Sequence, residues 1–177
     1  MKSTLQTVVV VVAMLCTYLP IPSQAVVPGS KIKVTFEGLT SHGKQTTITG
    51  GYDGLDFDSS FWASGKGVYK DDPGFQAVIH GSIACVLPNG LQDSGLIQPT
   101  FGQGPFSIKS GHFAAFGGGG RVITFNAYKA GELVGTMNVN LETVDTLIKF
   151  DKTFSNIDQF QIIGGIAFDN LQVKFEE

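Results

Sequence analysis

The sequence predicts an all-β protein, an antiparallel two-sheet β-sandwich of the jelly-roll kind, and three observations carry that expectation. Apolar residues alternate with Thr, Asn, Gln and Lys over short runs, the period-2 signature of strands with one buried face. Glycine and phenylalanine are abundant, at 23 and 14 residues, while charged residues make up only 15% of the chain. No segment carries an apolar repeat at helical spacing over three turns, so helix is expected to be minor.

The elements follow in order. Residues 1–25 read as a secretory signal: Lys2, an apolar run from Val8 to Cys16, the helix-stopping Pro20 and Pro22, then Ser23-Gln24-Ala25. The run is shorter than the roughly 20 apolar residues that span a bilayer, so cleavage after Ala25 and export are expected. Residues 26–177 then form a single sandwich domain, long enough to bury about 68–70% of its unfolded surface. "KIKVTFE" is the first strand, with Ile32, Val34 and Phe36 on one face. "GLTSHGKQ" nearly matches a phosphate-binding loop, but Gln45 stands where a Ser or Thr hydroxyl is needed and "TTITGG" follows instead of a helix, so it reads as a turn.

"GYDGLDFDSSFW", 51–62, brings Asp53, Asp56 and Asp58 beside aromatic rings and reads as an acidic strand and loop. Residues 64–76 are expected to be a long surface loop. "AVIHGSIACVL" is an apolar stretch around Cys85 in which "AVIH" reads as a strand holding His80, and "PNG" and "GGGG" are turns. "RVITFNAYKAGELVGTMNVNL" is a hairpin turning at Lys129-Ala130-Gly131, with Gly131 as the left-handed residue. Its second strand places Leu133, Met137, Val139 and Leu141 on the core side and Thr136, Asn138 and Asn140 on the wet side. "DQFQII" and "AFDNLQVKF" are the last strands, and alternation puts Asp169 on the face of Leu171, Val173 and Phe175.

Composition narrows the function. Twelve basic residues less Lys2 leave 11 against 15 acidic, a mildly acidic balance that argues against nucleic acid or a membrane as partner. Cys16 departs with the signal, so Cys85 has no intrachain disulfide partner and is expected to be a buried, inert thiol. There is no Gly-x-Ser-x-Gly elbow, and His42, His80 and His112 lack metal-type spacing, so each is read as a structural or surface histidine, His80 as a buried one. No catalytic constellation is found, and the protein is read as non-enzymatic.

Calcium, which takes six to eight oxygen ligands, is the expected ion. The 53–59 loop lacks the distal Glu of a complete calcium loop. Glu37 and an inward Asp169 are the better candidates: if the terminal strands are neighbours the two carboxylates converge, and they repel unless a cation or a proton joins them. Tyr52, Asp56, Asp58 and Trp62 are the candidate ligand-binding residues, since exposed rings stack on apolar sugar faces and acids accept from hydroxyls.

The "FEGL" first strand and the "FDNLQV" last strand resemble small secreted jelly-roll domains of the galactose-binding-like, carbohydrate-binding-module type. The resemblance implies a one-domain sandwich of roughly 120–150 residues, with Glu37 and Asp169 as ligands of a structural calcium and backbone carbonyls completing the shell. The reading is therefore a secreted, monomeric, non-catalytic protein that binds an extracellular or cell-wall glycan. Two alternatives stand beside it: a virulence effector of a host-associated microbe that binds a host protein, delivered into the host cell if the source is a pathogen, and a glycan-active hydrolase drawing on Asp56, Asp58, Asp71 and Asp72.

Overall fold

The computed structural model describes residues 26–48, 50–87 and 94–177. The expected signal segment and the "PNG" turn lie outside the described residues. Among the described residues twelve strands form: β1 Lys31–Val34, β2 Gln45–Thr47, β3 Leu55–Phe57, β4 Trp62–Gly65, β5 Ile83–Leu87, β6 Ser94–Pro99, β7 Phe106–Ala115, β8 Arg121–Lys129, β9 Glu132–Leu141, β10 Thr146–Lys149, β11 Gln159–Ile163 and β12 Ile166–Phe175. One short helix, α1 (Pro73–Val78), and a 3-10 turn at Lys152–Phe154 complete the set.

Two antiparallel sheets result, as the alternation predicts. The seven-stranded sheet runs β10-β7-β12-β5-β4-β2, and β1 also pairs with β12; the five-stranded sheet runs β3-β6-β11-β8-β9. The terminal strands are neighbours, with Lys31 opposite Lys174 and Val34 opposite Leu171. Along the same edge of β12, β5 pairs with Ile166–Phe168. β1 and β5 are therefore laid end to end against one strand, and the break between them falls at Asp169 and Asn170.

Phenylalanine fills the space between the sheets. Phe168 lies 5.5 Å from Phe36, 5.7 Å from Phe113 and 5.9 Å from Phe61, and Phe125 lies 5.2 Å from Phe150 and 5.8 Å from Phe160. These centroid separations are the range in which aromatic pairs attract beyond simple burial. A smaller apolar layer lies outside the seven-stranded sheet, where Phe75 and Val78 of α1 cover Ala84, Val86, Ala114 and Ala167.

Three local expectations are corrected. The predicted 64–76 loop contains α1: Asp72 caps it by accepting from Phe75 N at 2.8 Å, Pro73 opens it, and the buried Phe75 and Val78 hold it to the sheet. Leu133 lies on the wet side and is 56% exposed. A register shift pairs Ala127 with Gly135 but Tyr128 with Leu133, so the extra residue Val134 reverses the alternation. Asp169 does not share the face of Leu171, Val173 and Phe175: a bulge at Asn170, whose φ is 55°, puts both Phe168 and Leu171 in the core and turns Asp169 out of that row.

Candidate functional site

The break between β1 and β5 brings Glu37 and Asp169 to one place. Glu37 follows Phe36, whose φ of 60° turns the chain sharply beyond β1. Its Oε1 accepts from Ser82 N at 2.8 Å and Ile83 N at 3.1 Å, at the entry to β5. A Cβ on Gly81 would meet that oxygen, so a larger residue there would displace the Glu37 carboxylate. Asp169 is 2% exposed; Oδ1 accepts from Asn170 N at 2.7 Å and Oδ2 from His80 N at 3.3 Å.

Burial pushes the Asp169 carboxyl up to about 6, and the Glu37 charge adds to that rise; the two amide donors and Lys33 oppose it. Burial also pushes the Tyr52 phenol up to about 12, with Asp53, Glu37 and Asp169 contributing. Two carboxylates and a phenol thus share one field. The donor set fits a hard cation, because the repulsion that the Glu37 charge exerts on the buried Asp169 carboxyl is relieved by a cation as well as by a proton.

The four predicted ligand residues are not gathered in one place. Tyr52 stacks on Phe36 at 6.0 Å and borders the Glu37–Asp169 pair. Trp62 is half-buried against the layer under α1. Asp58 accepts from Ser60 N at 2.9 Å and Leu96 N at 2.7 Å, tying the end of β3 to β6. Asp56 accepts from Gly51 N at 2.6 Å and Thr100 Oγ1 at 3.3 Å, and lies between the buried Leu55 and Phe57, hence on the outer face of the five-stranded sheet. Asp72, a candidate acid of the hydrolase reading, accepts from Phe75 N and from Gly117 N at 2.7 Å.

That outer face carries a polar grid which strand-by-strand reading did not assemble. Asn126 lies between Gln161 and Thr136 in register, and Thr124 lies opposite Asn138. Gln161 Oε1 accepts from Asn126 Nδ2 and Tyr128 Oη, both at 3.0 Å. Asn126 Oδ1 accepts from Thr136 Oγ1 at 2.9 Å, and Asn138 Oδ1 accepts from Thr124 Oγ1 at 2.7 Å. The carbonyl oxygens are thereby committed, while the amide NH2 groups of Gln161 and Asn138 have no protein partner among the described residues. Phe101, fully exposed in the turn after β6, was also missed; its signal was the "PTFGQG" context, in which Pro99 and Gly102 mark a turn.

The histidines also differ from expectation. His80 is exposed rather than buried and follows α1 rather than lying in a strand, since Ala77 and Val78 are helical; its ring faces His112 with the centroids 4.2 Å apart. Cys85 is fully buried, and burial pushes its thiol well above the ordinary range, as expected of an inert core cysteine. No helix among the described residues is long and apolar enough to cross a membrane.

The chain is thus an antiparallel two-sheet β-sandwich with a buried Asp169 beside an exposed Glu37 and one polar outer sheet face. No family model and no curated protein matches it. Solved structures similar to it include a family 11 carbohydrate-binding module from Clostridium thermocellum in complex with a beta-1,3-1,4-mixed-linked tetrasaccharide. That similarity has 12% identity and a TM-score of 0.43, and covers 82% of this chain and 96% of that one. The CBM22-1-GH10 modules of the xylanase Xyn10B of the same organism, complexed with xylohexaose, are similar at 14% identity and TM-score 0.38, over 82% of this chain and 28% of that one. The enzymatically active domain of tailspike protein 4 of bacteriophage CBA120 is similar at 14% identity and TM-score 0.32, over 75% of this chain and 19% of that one.

Proposed function

We propose that this protein is an exported, non-catalytic glycan-binding β-sandwich stiffened by a structural calcium at Glu37 and Asp169. The observation that carries the reading is the polar grid in which a buried Asn126 ties together the half-buried Thr124, Tyr128 and Gln161 and the exposed Thr136 and Asn138. Planar amides and hydroxyls held by one another present donors and acceptors in a fixed array, which suits the hydroxyls of a sugar and lowers the entropy lost on binding. Asp56, opposite Gln98 on the same sheet, extends the acceptor set at its edge, and Phe101 offers a ring for stacking.

Glu37 and Asp169 would supply carboxylate oxygens to the calcium, with backbone carbonyls adding others. The bound ion would tie the turn after β1 to β12 and to the entry of β5. Export rests on the Lys2-to-Ala25 pattern, and amino-terminal sequencing of the mature protein should read from Val26.

Retention on immobilised polysaccharides, with and without a calcium chelator, tests the reading. We expect retention on at least one glycan, at least tenfold weaker binding in the Asn138→Ala variant, at an exposed position, with the chain still folded at the assay temperature, and a lower melting temperature under chelator. Failure of every polysaccharide to retain the protein would sink glycan binding. Melting unaffected by calcium or chelator would sink the structural ion alone. A protein partner is the second reading, favoured by the exposed Val122 and Leu133 beside the grid; recovery of one specific partner through that face, with no glycan retained, would select it.

A further inference from the structure

We propose that His80, His112 and Asp145 form a binding site for a divalent transition-metal ion of the zinc type, with three protein ligands and an open fourth position. One donor atom from each of the three lies within 4.8 Å of the other two. Asp145 Oδ2 is 3.2 Å from His80 Nε2, and Asp145 Oδ1 is 2.9 Å from His112 Nδ1. Ligands on a tetrahedral zinc with bonds near 2.0–2.1 Å stand about 3.3 Å from one another. The carboxylate-to-imidazole distances therefore need to open by only a few tenths of an ångström to admit the ion.

The three ligands come from separate segments, and the sheet holds each backbone in place. His112 sits within β7, opposite Asp169 of β12 on one side and Leu147 of β10 on the other. Asp145 immediately precedes β10, where Thr146 pairs with Phe113. His80 follows α1, and its main-chain N–H donates to the buried Asp169. An ion here would fasten the α1–β5 connection to β7 and β10 on the outer side of the sheet. The side chains are 36%, 29% and 31% exposed for His80, His112 and Asp145, so the fourth position faces solvent and is free to take water or a donor atom of a bound ligand.

The donor chemistry separates this site from the proposed calcium pair. Two imidazoles and one carboxylate suit zinc, iron, nickel or copper, whereas calcium selects oxygen. One ionised carboxylate and two neutral imidazoles also leave a net positive charge on the bound ion, which favours an anionic or hydroxide ligand at the open position.

The test uses the full mature chain saturated with calcium and titrated with Co²⁺ or Zn²⁺. We expect about one equivalent to bind with a dissociation constant of about 10 µM or tighter, with a visible ligand-field absorption for Co²⁺ of the intensity of a four- or five-coordinate site. In the wild-type chain the imidazole ¹H–¹⁵N signals of His80 and His112 should shift with Zn²⁺ while those of His42 stay in place. His112→Ala and Asp145→Asn should each weaken binding at least tenfold, and His42→Ala should leave it unchanged. The proposal is overturned by binding weaker than about 1 mM, by equal perturbation of all three histidines, or by unaltered affinity in both variants. A cluster that titrates with protons but does not respond to Zn²⁺ overturns it as well. The wild-type imidazole signals decide the question even where a variant fails to fold.

Discussion

Asp169 shows how one residue answers to both the sequence and the fold. Alternation along "AFDNLQVKF" pointed to an inward acid, and the residue is indeed buried, but the bulge at Asn170 places it in the break between β1 and β5. In calcium-free protein it holds its proton up to about pH 6 when folded, against an ordinary value of 3.8. The stability this contributes is complete below about pH 3.8 and is lost as pH rises through 6, because only the folded state retains the proton in that window. Asp169→Asn, uncharged at every pH, should flatten this decline. Melting temperatures of the two chelated proteins between pH 4.5 and 7 check it, and parallel curves would show that Asp169 ionises normally. The proximity of Glu37 to Asp169 was legible only through the supposition that the first and last strands are neighbours, and Asp169 lies within β12 rather than at its end. The grouping of His80, His112 and Asp145 was not, since each lies more than thirty positions from the next and no local spacing encodes the meeting.

At the scale of elements, the β8–β9 hairpin was read with its strands correct and its turn only half resolved. Gly131 has φ 80°, as its left-handed role requires, but Ala130 is also left-handed at 51°, so the two-residue loop needs positive φ twice. An alanine pays a steric penalty there that asparagine largely avoids. Ala130→Asn should therefore stabilise the protein by about 0.5–1 kcal/mol, read as a higher urea midpoint at unchanged m-value. The amide of residue 130 keeps its bond to Asp158 Oδ2 at 2.6 Å in the variant. The misplacement of Leu133 has the same origin as that of Asp169. A single extra residue in a strand reverses every later side chain, and the chain pattern carries no mark of where the partner strand runs short.

Across the whole molecule, the rings of the core bind the two sheets into one unit. Phe168, fully buried, packs against Phe36, Phe61 and Phe113, which reach it from three other segments. Phe168→Ala should cost about 3–5 kcal/mol, a large part of the 5–15 kcal/mol that holds a typical domain together. Equilibrium denaturation would reveal it, and a loss below about 1 kcal/mol would mean that the neighbouring rings collapse into the space.

The sequence by itself determined the antiparallel sandwich, the five clearest strands β1, β8, β9, β11 and β12, and the burial of Cys85, because these follow from local periodicity and composition. Only the tertiary structure decided the two bulges, the commitment of Asp56, Asp58 and Asp72 to backbone amides, the polar grid on the five-stranded sheet and the His80–His112–Asp145 cluster. Each of these depends on which strands lie side by side and in what register, and that is set by packing the two sheets around a shared core rather than by any one segment.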